Sequence, residues 1–482
     1  MLRKFLLKKL FFSLLLGGYI VSFAFLSPSN AYASKDQDDE SDIYEELKVF
    51  TDVLSIVKKD YVQKVNAKSI VEGAIKGMLS TLDPHSGYLD PDFYKDLQIK
   101  TKGEFGGLGI EITVRDGLLY VVSPMDDSPA KKAGVRAGDV IVKIDGEFAK
   151  NLSLVDAVKK LRGPKGSYVV ITISREGVKR LIDLKVRREI ITVDSVKSIY
   201  LDEGFGYVRL TQFMEKTTED LKKALEDFHK KYNHKKLKGL ILDLRNNPGG
   251  LLEQAVSVAD LFLDEGVIVY TDGRMENQKQ KFYATKKDTE PEYPIVVLIN
   301  GGSASASEIV AAALKDHGRA LILGTKSFGK GSVQTITPLS NGGAVTLTTA
   351  LYYTKSGNSI QAKGVEPDIV IEDNKYVNNN IDDSKETEVI DIKEKDLPGA
   401  IKNPSGSDDD GADTMRKLNN TPKLEEVVDD FDIEHATMEE IFKRDGQLKK
   451  AYELLKTFNL FGRQSVINSA NGNAKKQNEA KK

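Results

Sequence analysis

The sequence predicts a multidomain α+β protein, in which an α/β core carries an inserted β-rich module and helices at both ends. Three observations predict this architecture. Apolar residues recur at helical spacing before residue 83 and again near residue 450. Short β-rich runs with Gly and Pro between them fill residues 103–188, and strands alternate with helices over residues 191–373. The 482 residues are enough for several domains.

Composition excludes several classes of function. The 70 basic residues nearly cancel the 72 acidic ones, so no overall basic field indicates a nucleic-acid partner. Cysteine is absent, which excludes disulfides, zinc-thiolate sites and thiol nucleophiles. No motif implies a metal or another cofactor, and function must therefore come from local groups of residues.

The N-terminus has the order of a secretory signal peptide. A basic start around Lys4 is followed by the apolar stretch 10–26 and by Ala31-Tyr32-Ala33, an A-x-A cleavage site. The apolar stretch is only slightly short for a spanning helix, so an uncleaved membrane anchor stays open as the alternative. We expect removal of residues 1–33 and a chain that is periplasmic or otherwise exported.

Residues 34–98 form a predicted N-terminal helical segment, because Leu47, Phe50 and Val53 recur at helical spacing. We interpret this segment as a packing or dimerisation element. The β-rich module occupies residues 99–190. Within it, strands are predicted at 118–122, 140–144 and 168–174, and a helix at 154–161.

Residues 191–375 predict the α/β core. The strands at 238–244 and 295–299 are continuously apolar, as in a parallel sheet that is covered on both faces. A strand is also predicted at 320–323, and helices at 251–262 and 305–317. Residues 376–430 read as a polar linker, and residues 469–482 as a disordered tail.

A C-terminal helical segment, residues 431–468, lies between linker and tail. It contains an amphipathic helix at 447–458 with Leu448, Tyr452 and Leu455 on one face. This face needs a partner surface, and we expect either the N-terminal helices or a second subunit.

The densest chemical signal begins at Asn300. A strand ends in Asn300-Gly301-Gly302, and Ser303-Ala-Ser305-Ala-Ser307-Glu308 then opens a helix. This layout places a serine hydroxyl at the positive end of a helix dipole, where an oxyanion is stabilised. Ser305-x-x-Glu308 is also a capping box, so a purely structural role for Ser305 is the alternative.

Lys330 favours the catalytic interpretation of Ser305. It follows the next strand, and a lysine whose pKa is lowered by burial can serve as the base for a serine. Gln334 lies four positions further on. In an extended segment the two residues share a face, so Gln334 is predicted to hold the amine.

An oxyanion hole is predicted from a third segment. The strand that ends near Leu244 runs into Arg245-Asn-Asn-Pro-Gly249-Gly250 and then into a helix. Two glycines at a helix N-terminus offer backbone N–H groups with no side chain in the way. A plain strand-to-helix turn is the alternative.

Two other motifs are decoys. The run from Gly324 to Lys330 imitates a phosphate-binding loop, but the next residue is Gly331 where Ser or Thr would hold magnesium. Asp316-His317 suggests a Ser-His-Asp triad with Ser305. His317 lies twelve residues along the same helix, on the order of 18 Å away at ~1.5 Å per residue.

With these motifs the chain resembles the carboxyl-terminal processing, or tail-specific, proteases of peptidase family S41. Four motifs carry the resemblance: Leu82-Asp-Pro-His-Ser86, Leu242-Asp-Leu-Arg-Asn-Asn-Pro-Gly-Gly250, Ser303-Ala-Ser-Ala-Ser-Glu308 and Phe328-Gly-Lys-Gly-Ser-Val-Gln334. The resemblance implies a crotonase/ClpP-like core and a Ser-Lys catalytic pair. In it, Ser305 is the nucleophile, Lys330 the base and Gln334 the residue beside the lysine. The implied oxyanion donors are the N–H groups of Ala306 and of either Gly249 or Gly250.

The β-rich module resembles a PDZ domain of the bacterial protease type through the run Val122 to Ile141. Gly106, Gly107, Leu108 and Gly109 then correspond to its carboxylate-binding loop. The resemblance implies that a substrate tail adds as a strand at the module's edge. Arg162 follows the helix of this groove, and its position implies coupling between PDZ occupancy and the active site, with a surface arginine as the alternative.

These observations predict an exported serine endopeptidase that cuts proteins near their C-termini. Expected partners are protein substrates, a second copy through the terminal helices, and an adaptor or activator. The rival from another class is a PDZ-based adaptor that binds exported proteins without cutting them. Its signature is a broken Ser305/Lys330 pair, and here the pair is intact.

Overall fold

The computed structural model describes residues 35–125, 127–372, 392–405 and 437–460. It divides into two units, one up to Gly73 and one from Ala74 onward. The signal peptide, the tail and most of the linker that the sequence predicts lie outside the described residues. Within the described part of the chain, no helix is long and apolar enough to cross a membrane.

Two helices form where the N-terminal spacing predicts them. Helix α1 is Lys35–Asp60, and helix α2 is Ala67–Ser80. Several apolar side chains of α1 remain exposed, among them Leu47, Phe50 and Val53. Strand β1 (Gly87–Leu89) and helix α3 (Pro91–Lys102) follow α2 along the chain.

The β-rich module has an antiparallel sheet of the order β3-β4-β5-β7-β8, with β6 paired to β5 and a separate β2–β9 pair. Its strands are β2 (Glu104–Gly107), β3 (Ile110–Arg115), β4 (Leu118–Pro124), β5 (Val140–Ile144), β6 (Glu147–Phe148), β7 (Tyr168–Ser174), β8 (Ile182–Arg187) and β9 (Glu189–Thr192). Its helices are α4 (Pro129–Lys132) and α5 (Leu154–Leu161). Strand β3 lies at the sheet's edge, and α5 packs beside it.

The core contains a six-stranded sheet of the order β10-β11-β12-β15-β16-β19, parallel except for the β10–β11 pair. Its strands are β10 (Val196–Tyr200), β11 (Phe205–Leu210), β12 (Gly239–Asp243), β15 (Ile295–Ile299), β16 (Leu321–Gly324) and β19 (Ile369–Val370). Its helices are α6 (Thr217–Lys231), α7 (Leu252–Asp260) and α8 (Ala306–Asp316).

Both faces of this sheet are covered, as its continuously apolar strands require. One face packs against helices α6, α7 and α8 through residues such as Leu225, Val258 and Val310. The buried residues Ile241 and Val296 belong to a second cluster. The order of elements along the chain confirms the predicted alternation of strands and helices.

A second, antiparallel sheet has the order β1-β18-β13-β14, with β17 also paired to β18. Its strands, besides β1, are β13 (Val267–Gly273), β14 (Gln280–Tyr283), β17 (Ser332–Pro338) and β18 (Ala344–Tyr353). A short 3-10 helix, Glu276–Gln278, precedes β14. Strand β1 brings the end of the Leu82–Ser86 motif to β18, and β17 follows directly after the segment that carries Lys330.

The C-terminal helices are α9 (Met438–Arg444) and α10 (446–460). Leu448, Ala451 and Leu455 are fully buried in the second cluster, against the core sheet. The apolar face of this segment is therefore covered by the chain's own core. Our expectation of the N-terminal helices or a second subunit as its partner was wrong, because periodicity shows that a face needs cover but not what covers it.

Part of the predicted polar linker also packs on the core. Residues 392–405 contain a 3-10 helix, Glu394–Asp396, and we call them the strap. Glu394 is completely buried, and its N–H donates to the carbonyl oxygen of Phe328 at 3.1 Å. The Asn403 side chain donates to the carbonyl oxygen of Gln361 at 2.7 Å. Polar composition suggested a linker, but these polar groups find partners in the core.

Candidate active site

Three adjacent parallel strands deliver the three predicted motifs to one edge of the core sheet. Strand β12 runs into residues 245–250, β15 into residues 300–305 and β16 into residues 325–331. The carboxyl ends of parallel strands meet at the same edge, where ligand sites of open α/β sheets lie. The carbonyl oxygen of Ser303 accepts the N–H of Phe328 at 3.0 Å, which joins the serine and lysine segments directly.

Ser305 lies at the start of α8 in an unusual backbone conformation. Its φ of 54° and ψ of −112° are sterically costly for a residue with a side chain. Its hydroxyl makes no capping hydrogen bond, unlike the serine of an ordinary capping box. The structural alternative for Ser305 is thereby weakened, because the strain is maintained without the cap that would explain it.

The other two serines of the motif bind the neighbouring loop. The Ser303 hydroxyl donates to the Leu244 carbonyl oxygen at 2.7 Å, and the Ser307 hydroxyl donates to the Asn247 carbonyl oxygen at 2.9 Å. The Ala304 N–H also donates to the Asn247 carbonyl oxygen, at 3.0 Å. Only the middle hydroxyl of the three is left for chemistry.

The two glycines of the predicted oxyanion loop lie in very different surroundings. A Cβ on Gly249 would stand 2.9 Å from the Ser305 Cβ and 3.0 Å from the Ala306 nitrogen. The Gly249 N–H donates to Asn247 Oδ1 at 2.9 Å, so it is already engaged. Among the described residues, the N–H groups of Gly250 and Ala306 have no acceptor.

Lys330 is partly buried. Its Nζ makes no hydrogen bond or ion pair within the described segments, Ser305 included. Burial lowers the pKa of Lys330, although the carboxylates of Glu394, Asp83 and Glu308 act against this shift. A lysine with a lowered pKa and no fixed partner is suited to act as a base.

Glu308 joins the serine and lysine segments. Its side chain is completely buried, and it accepts the N–H of Ser305 at 2.8 Å and the N–H of Lys330 at 2.9 Å. It also accepts the N–H of Gly329 at 2.7 Å and the hydroxyl of Ser327 at 2.5 Å. Burial raises the pKa of Glu308 to about 7, against the hydrogen bonds, which favour the ionised form. The sequence showed Glu308 only as part of a capping box.

The Gln334 side chain donates its hydrogen bonds to residues other than Lys330. Its amide donates to the hydroxyls of Ser332 at 3.0 Å and Thr348 at 3.2 Å. The pairing of β17 with β18 shifts register between Val333 and Gln334, a β-bulge that re-aims the side chains after it. The assumption that residues 330 and 334 share a face of one extended segment therefore does not hold here.

The turn Asp83–Ser86 belongs to this site, because the Asp83 carboxylate acts on Lys330. Its residues form one of the motifs that carry the family resemblance, but we interpreted the N-terminal segment that contains them as a packing or dimerisation element. Asp83 accepts hydrogen bonds from the Ser86 N–H and hydroxyl, the His85 N–H and the Thr348 hydroxyl. Burial alone would raise the pKa of Asp83, but these hydrogen bonds hold it below its usual range. Thr348 is also the partner of Gln334, so the turn and the Gln334 side chain form one network.

The PDZ-like module leaves an open edge at β3, beside α5. Gly106 and Gly107 lie in β2, and Leu108 is buried just before Gly109, whose φ is 69°. The N–H groups of Leu108 and Gly109 have no acceptor among the described residues. Two unpaired backbone N–H groups in one turn form a concave site for an anion.

Arg162 ends α5, as expected, and its guanidinium contacts two residues outside that helix. Arg162 Nη1 lies 3.1 Å from Asp96 Oδ1 of α3, and the guanidinium lies 4.6 Å above the ring centroid of Phe105. It therefore joins the module to α3 and is not a free surface arginine.

The topology excludes both the Ser305–His317 triad and the phosphate-binding loop. Helix α8 is continuous from Ala306 to Asp316, so His317 lies at the opposite end of the helix from Ser305. Its Nε2 contacts the Val267 carbonyl oxygen at 2.9 Å. Lys330 is followed by strand β17, whereas a phosphate-binding loop opens a helix.

Comparison with known proteins agrees with this architecture. Residues 204–371 match peptidase family S41, residues 106–186 match the PDZ domain family, and residues 18–93 match the N-terminal domain of the activating protease CtpB. The chain is 53% identical to the carboxy-terminal-processing protease of Bartonella bacilliformis, over 73% of this chain and 82% of that protein. It is 36% identical to the carboxy-terminal processing protease CtpA of Bacillus subtilis, over 83% and 88%.

Among solved structures, the photosystem II D1 C-terminal processing protease is 34% identical, with a TM-score of 0.40, over 67% of this chain and 86% of that one. The chain is a PDZ-containing peptidase, as its core, its inserted module and its sequence relatives together indicate. The chain belongs to the carboxy-terminal processing proteases of family S41, and the family resemblance that the motifs carry is confirmed.

Proposed function

We propose that the protein is a serine endopeptidase in which Ser305 is the nucleophile and Lys330 the general base. The observation that supports this most strongly is the shared carboxylate of Glu308, which binds the backbone of both residues. It holds the nucleophile and base segments at fixed positions, as general-base catalysis requires. The strained conformation of Ser305 adds support, because such strain clusters at active sites.

In the proposed reaction, neutral Lys330 takes the hydroxyl proton of Ser305 as its oxygen attacks the scissile carbonyl carbon. Burial supports this role because it favours the neutral amine. The protonated lysine then returns the proton to the leaving amine, and water releases the acyl group from Ser305. Lys330 Nζ and the Ser305 hydroxyl must reach hydrogen-bond distance in the substrate complex, where catalytic hydrogen bonds tighten.

We assign the oxyanion hole to the N–H groups of Gly250 and Ala306. Both are unengaged within the described structure, whereas the Gly249 N–H is held by Asn247. Gly249 lies so close to Ser305 that no side chain fits between its loop and the nucleophile. Gly249 is thus a spacing residue in this proposal, and Gly250 a donor.

The PDZ-like module is proposed to bind the substrate's C-terminal tail. The open edge of β3 supports this, since a peptide can extend the sheet there through main-chain hydrogen bonds. The unpaired N–H groups of Leu108 and Gly109 support a site for the terminal carboxylate. Arg162 links the module to α3 and is proposed to transmit occupancy of the groove toward the core.

Export and partners are proposed on the sequence. The order of the N-terminus favours passage through a secretory pathway, with cleavage after Ala33. The exposed apolar residues of α1 are compatible with a homodimer through the N-terminal helices. The match of residues 18–93 to the CtpB N-terminal domain is compatible with an activator.

The test compares the mature protein with Ser305→Ala on an unfolded protein that has an apolar C-terminus. The proposal predicts that Ser305→Ala binds this protein and does not cut it. Ser307→Ala is the matched control, because its hydroxyl lies in the same motif but is engaged with Asn247. Cleavage by Ser305→Ala at the wild-type rate would refute the assignment. A serine-reactive phosphonate probe on Ser305, located by mass spectrometry, identifies the nucleophile if neither protein cuts.

A further inference from the structure

A histidine–carboxylate pair lies next to the lysine segment and has no part in the reaction described above. His85 Nε2 lies 2.9 Å from both carboxylate oxygens of Glu394. The Glu394 side chain is 0% exposed and that of His85 17% exposed. The two residues are 309 positions apart, one in the turn before β1 and one in the strap. A buried carboxylate is costly unless its partners are fixed, which gives this pair a defined geometry.

Glu394 and its partner Gln361 bind the segment that carries Lys330 at both ends. The Glu394 N–H donates to the Phe328 carbonyl oxygen at 3.1 Å. On the other side, Gln361 accepts the Gly331 N–H at 2.9 Å and donates to Glu394 Oε1 at 3.0 Å. Residues 328 and 331 are thus both bound, directly or through Gln361, to Glu394.

We propose that Glu394, held by His85 and Gln361, is a positioning residue for Lys330: it fixes the loop that carries the amine and sets the charge next to it. The inference rests on the proposed role of Lys330 as base. The strap is then part of the active-site wall, and the His85 side chain is the contact that keeps its carboxylate in place.

The charge arrangement explains why a carboxylate is useful there. Burial alone disfavours the ammonium form of Lys330 and makes the amine a weaker base. The carboxylates that act on Lys330 from the surrounding elements are Glu394 of the strap, Asp83 of the turn and Glu308 of α8. A general base works best when its pKa lies near the working pH, and the nearby charges oppose an excessive downward shift.

The test measures the pH dependence of kcat/KM for Glu394→Gln, which removes the charge and keeps the shape. The acidic limb of the profile, where Lys330 loses its proton, is expected to move to lower pH by about half a unit to one unit. The pair His229–Glu290 is the matched control. Its Nε2–Oε2 distance is also 2.9 Å, and the His229 and Glu290 side chains are 20% and 17% exposed. His229 lies near the end of α6, and Glu290 lies before the start of β15. Glu290→Gln should leave the acidic limb where it is.

Two variants of His85 test whether its side chain keeps Glu394 of the strap in place. His85→Ala is expected to lower kcat by ~10-fold or more with little change in KM, since misplacement of a catalytic group acts on the chemical step. His85→Gln keeps a donor toward Glu394 and should restore most of kcat. Thermal melting of each variant confirms that it is folded.

The outcomes separate this inference from the function it rests on. If Lys330→Ala cuts as fast as the wild type, the base assignment fails and the inference fails with it. The second outcome is that Lys330→Ala is inactive, Glu394→Gln keeps the wild-type acidic limb and His85→Ala keeps the wild-type kcat. In that case only the positioning role of the His85–Glu394 pair is overturned.

Discussion

The buried carboxylate of Glu308 accepts the backbone N–H of Lys330 at 2.9 Å. The same carboxylate accepts the N–H of Ser305, so one side chain fixes the relative positions of the proposed base and nucleophile. An isolated buried carboxylate is unfavourable, and its hydrogen bonds must therefore be kept for the fold to be stable. Geometry of the site and stability of the core are linked at this residue.

Replacement of Glu308 by Gln should lower kcat more than it changes KM. Gln has a single acceptor oxygen, so it cannot satisfy the four donors that Glu308 binds, and the two segments lose their common anchor. We expect a loss of kcat of roughly 100-fold, the effect of a small misplacement of catalytic groups. Steady-state kinetics on a peptide substrate measures it. Unchanged kcat in a folded Glu308→Gln protein would show that the anchor has no part in catalysis.

The stability of the protein should depend on pH through Glu308. Its pKa of about 7 in the folded protein lies above the ordinary value of 4.5, so the folded state holds a proton that the unfolded state releases. The free energy of unfolding, measured relative to Glu308→Gln, is therefore expected to fall as pH rises through this window, by about 3 kcal/mol in total. Denaturant unfolding of both proteins from pH 4.5 to 7.5 measures the difference. A difference independent of pH would contradict the raised pKa.

The C-terminal helices should support residues 245–250, the proposed oxyanion loop, through an ion pair. Arg245, at the start of that loop, contacts Asp445 between α9 and α10 at 3.0 Å and 2.6 Å through its two terminal nitrogens. It also contacts Asp243 at 2.6 Å. Asp445→Ala should destabilise the protein by about 3 kcal/mol, because it leaves a buried guanidinium partly unpaired. It should also lower kcat.

The control for Asp445→Ala is Glu453→Gln in α10, the helix that follows Asp445. Glu453 pairs with Lys450 at 3.7 Å, and both side chains are 50% exposed. Removal of such an exposed pair changes stability by less than ~0.5 kcal/mol. Denaturant unfolding and steady-state kinetics compare the two variants, and equal behaviour would show that the helix is not a support for the loop.

A Cβ at Gly250 should abolish activity. It would stand 2.1 Å from the Phe213 carbonyl oxygen, and the φ of 144° is one that residues with side chains rarely adopt. The loop must move, which displaces the N–H that we assign to the oxyanion hole, and loss of one such donor costs about 100- to 1000-fold in kcat. Gly318→Ala tests strain alone, since its φ is 63° with open space around the added atom. Gly250→Ala with the kcat of Gly318→Ala would contradict the assignment.

The regular parts of this fold could be predicted because each is determined by a short stretch of sequence. Strand β15 is five consecutive buried apolar residues, and β5 and β7 begin and end where their β-rich runs do. The order of strands and helices then places Ser305 and Lys330 at one edge of a parallel sheet. The family resemblance adds the choice of Ser305 among three serines.

The rest of the site depends on contacts between distant parts of the chain. No local pattern pairs His85 with Glu394, and a polar stretch such as the strap reads as a linker until its partners in the core are known. The bulge before Gln334 is a property of the pairing of β17 with β18, not of the residues around it. Glu308 was visible as a capping residue, but its link to Lys330 required the position of the next loop.

The rate at which a serine-reactive phosphonate probe modifies Ser305, measured against pH, tests whether Lys330 is the base for Ser305. The proposed pair predicts that this rate rises with pH as Lys330 loses its proton, and that Lys330→Ala is modified at least ~100-fold more slowly across the range. Asp316→Asn is a control for a charge at the far end of α8, where it accepts the Ser356 N–H at 3.0 Å. Modification of Lys330→Ala at the wild-type rate, with the same pH profile, would show that Lys330 is not the base.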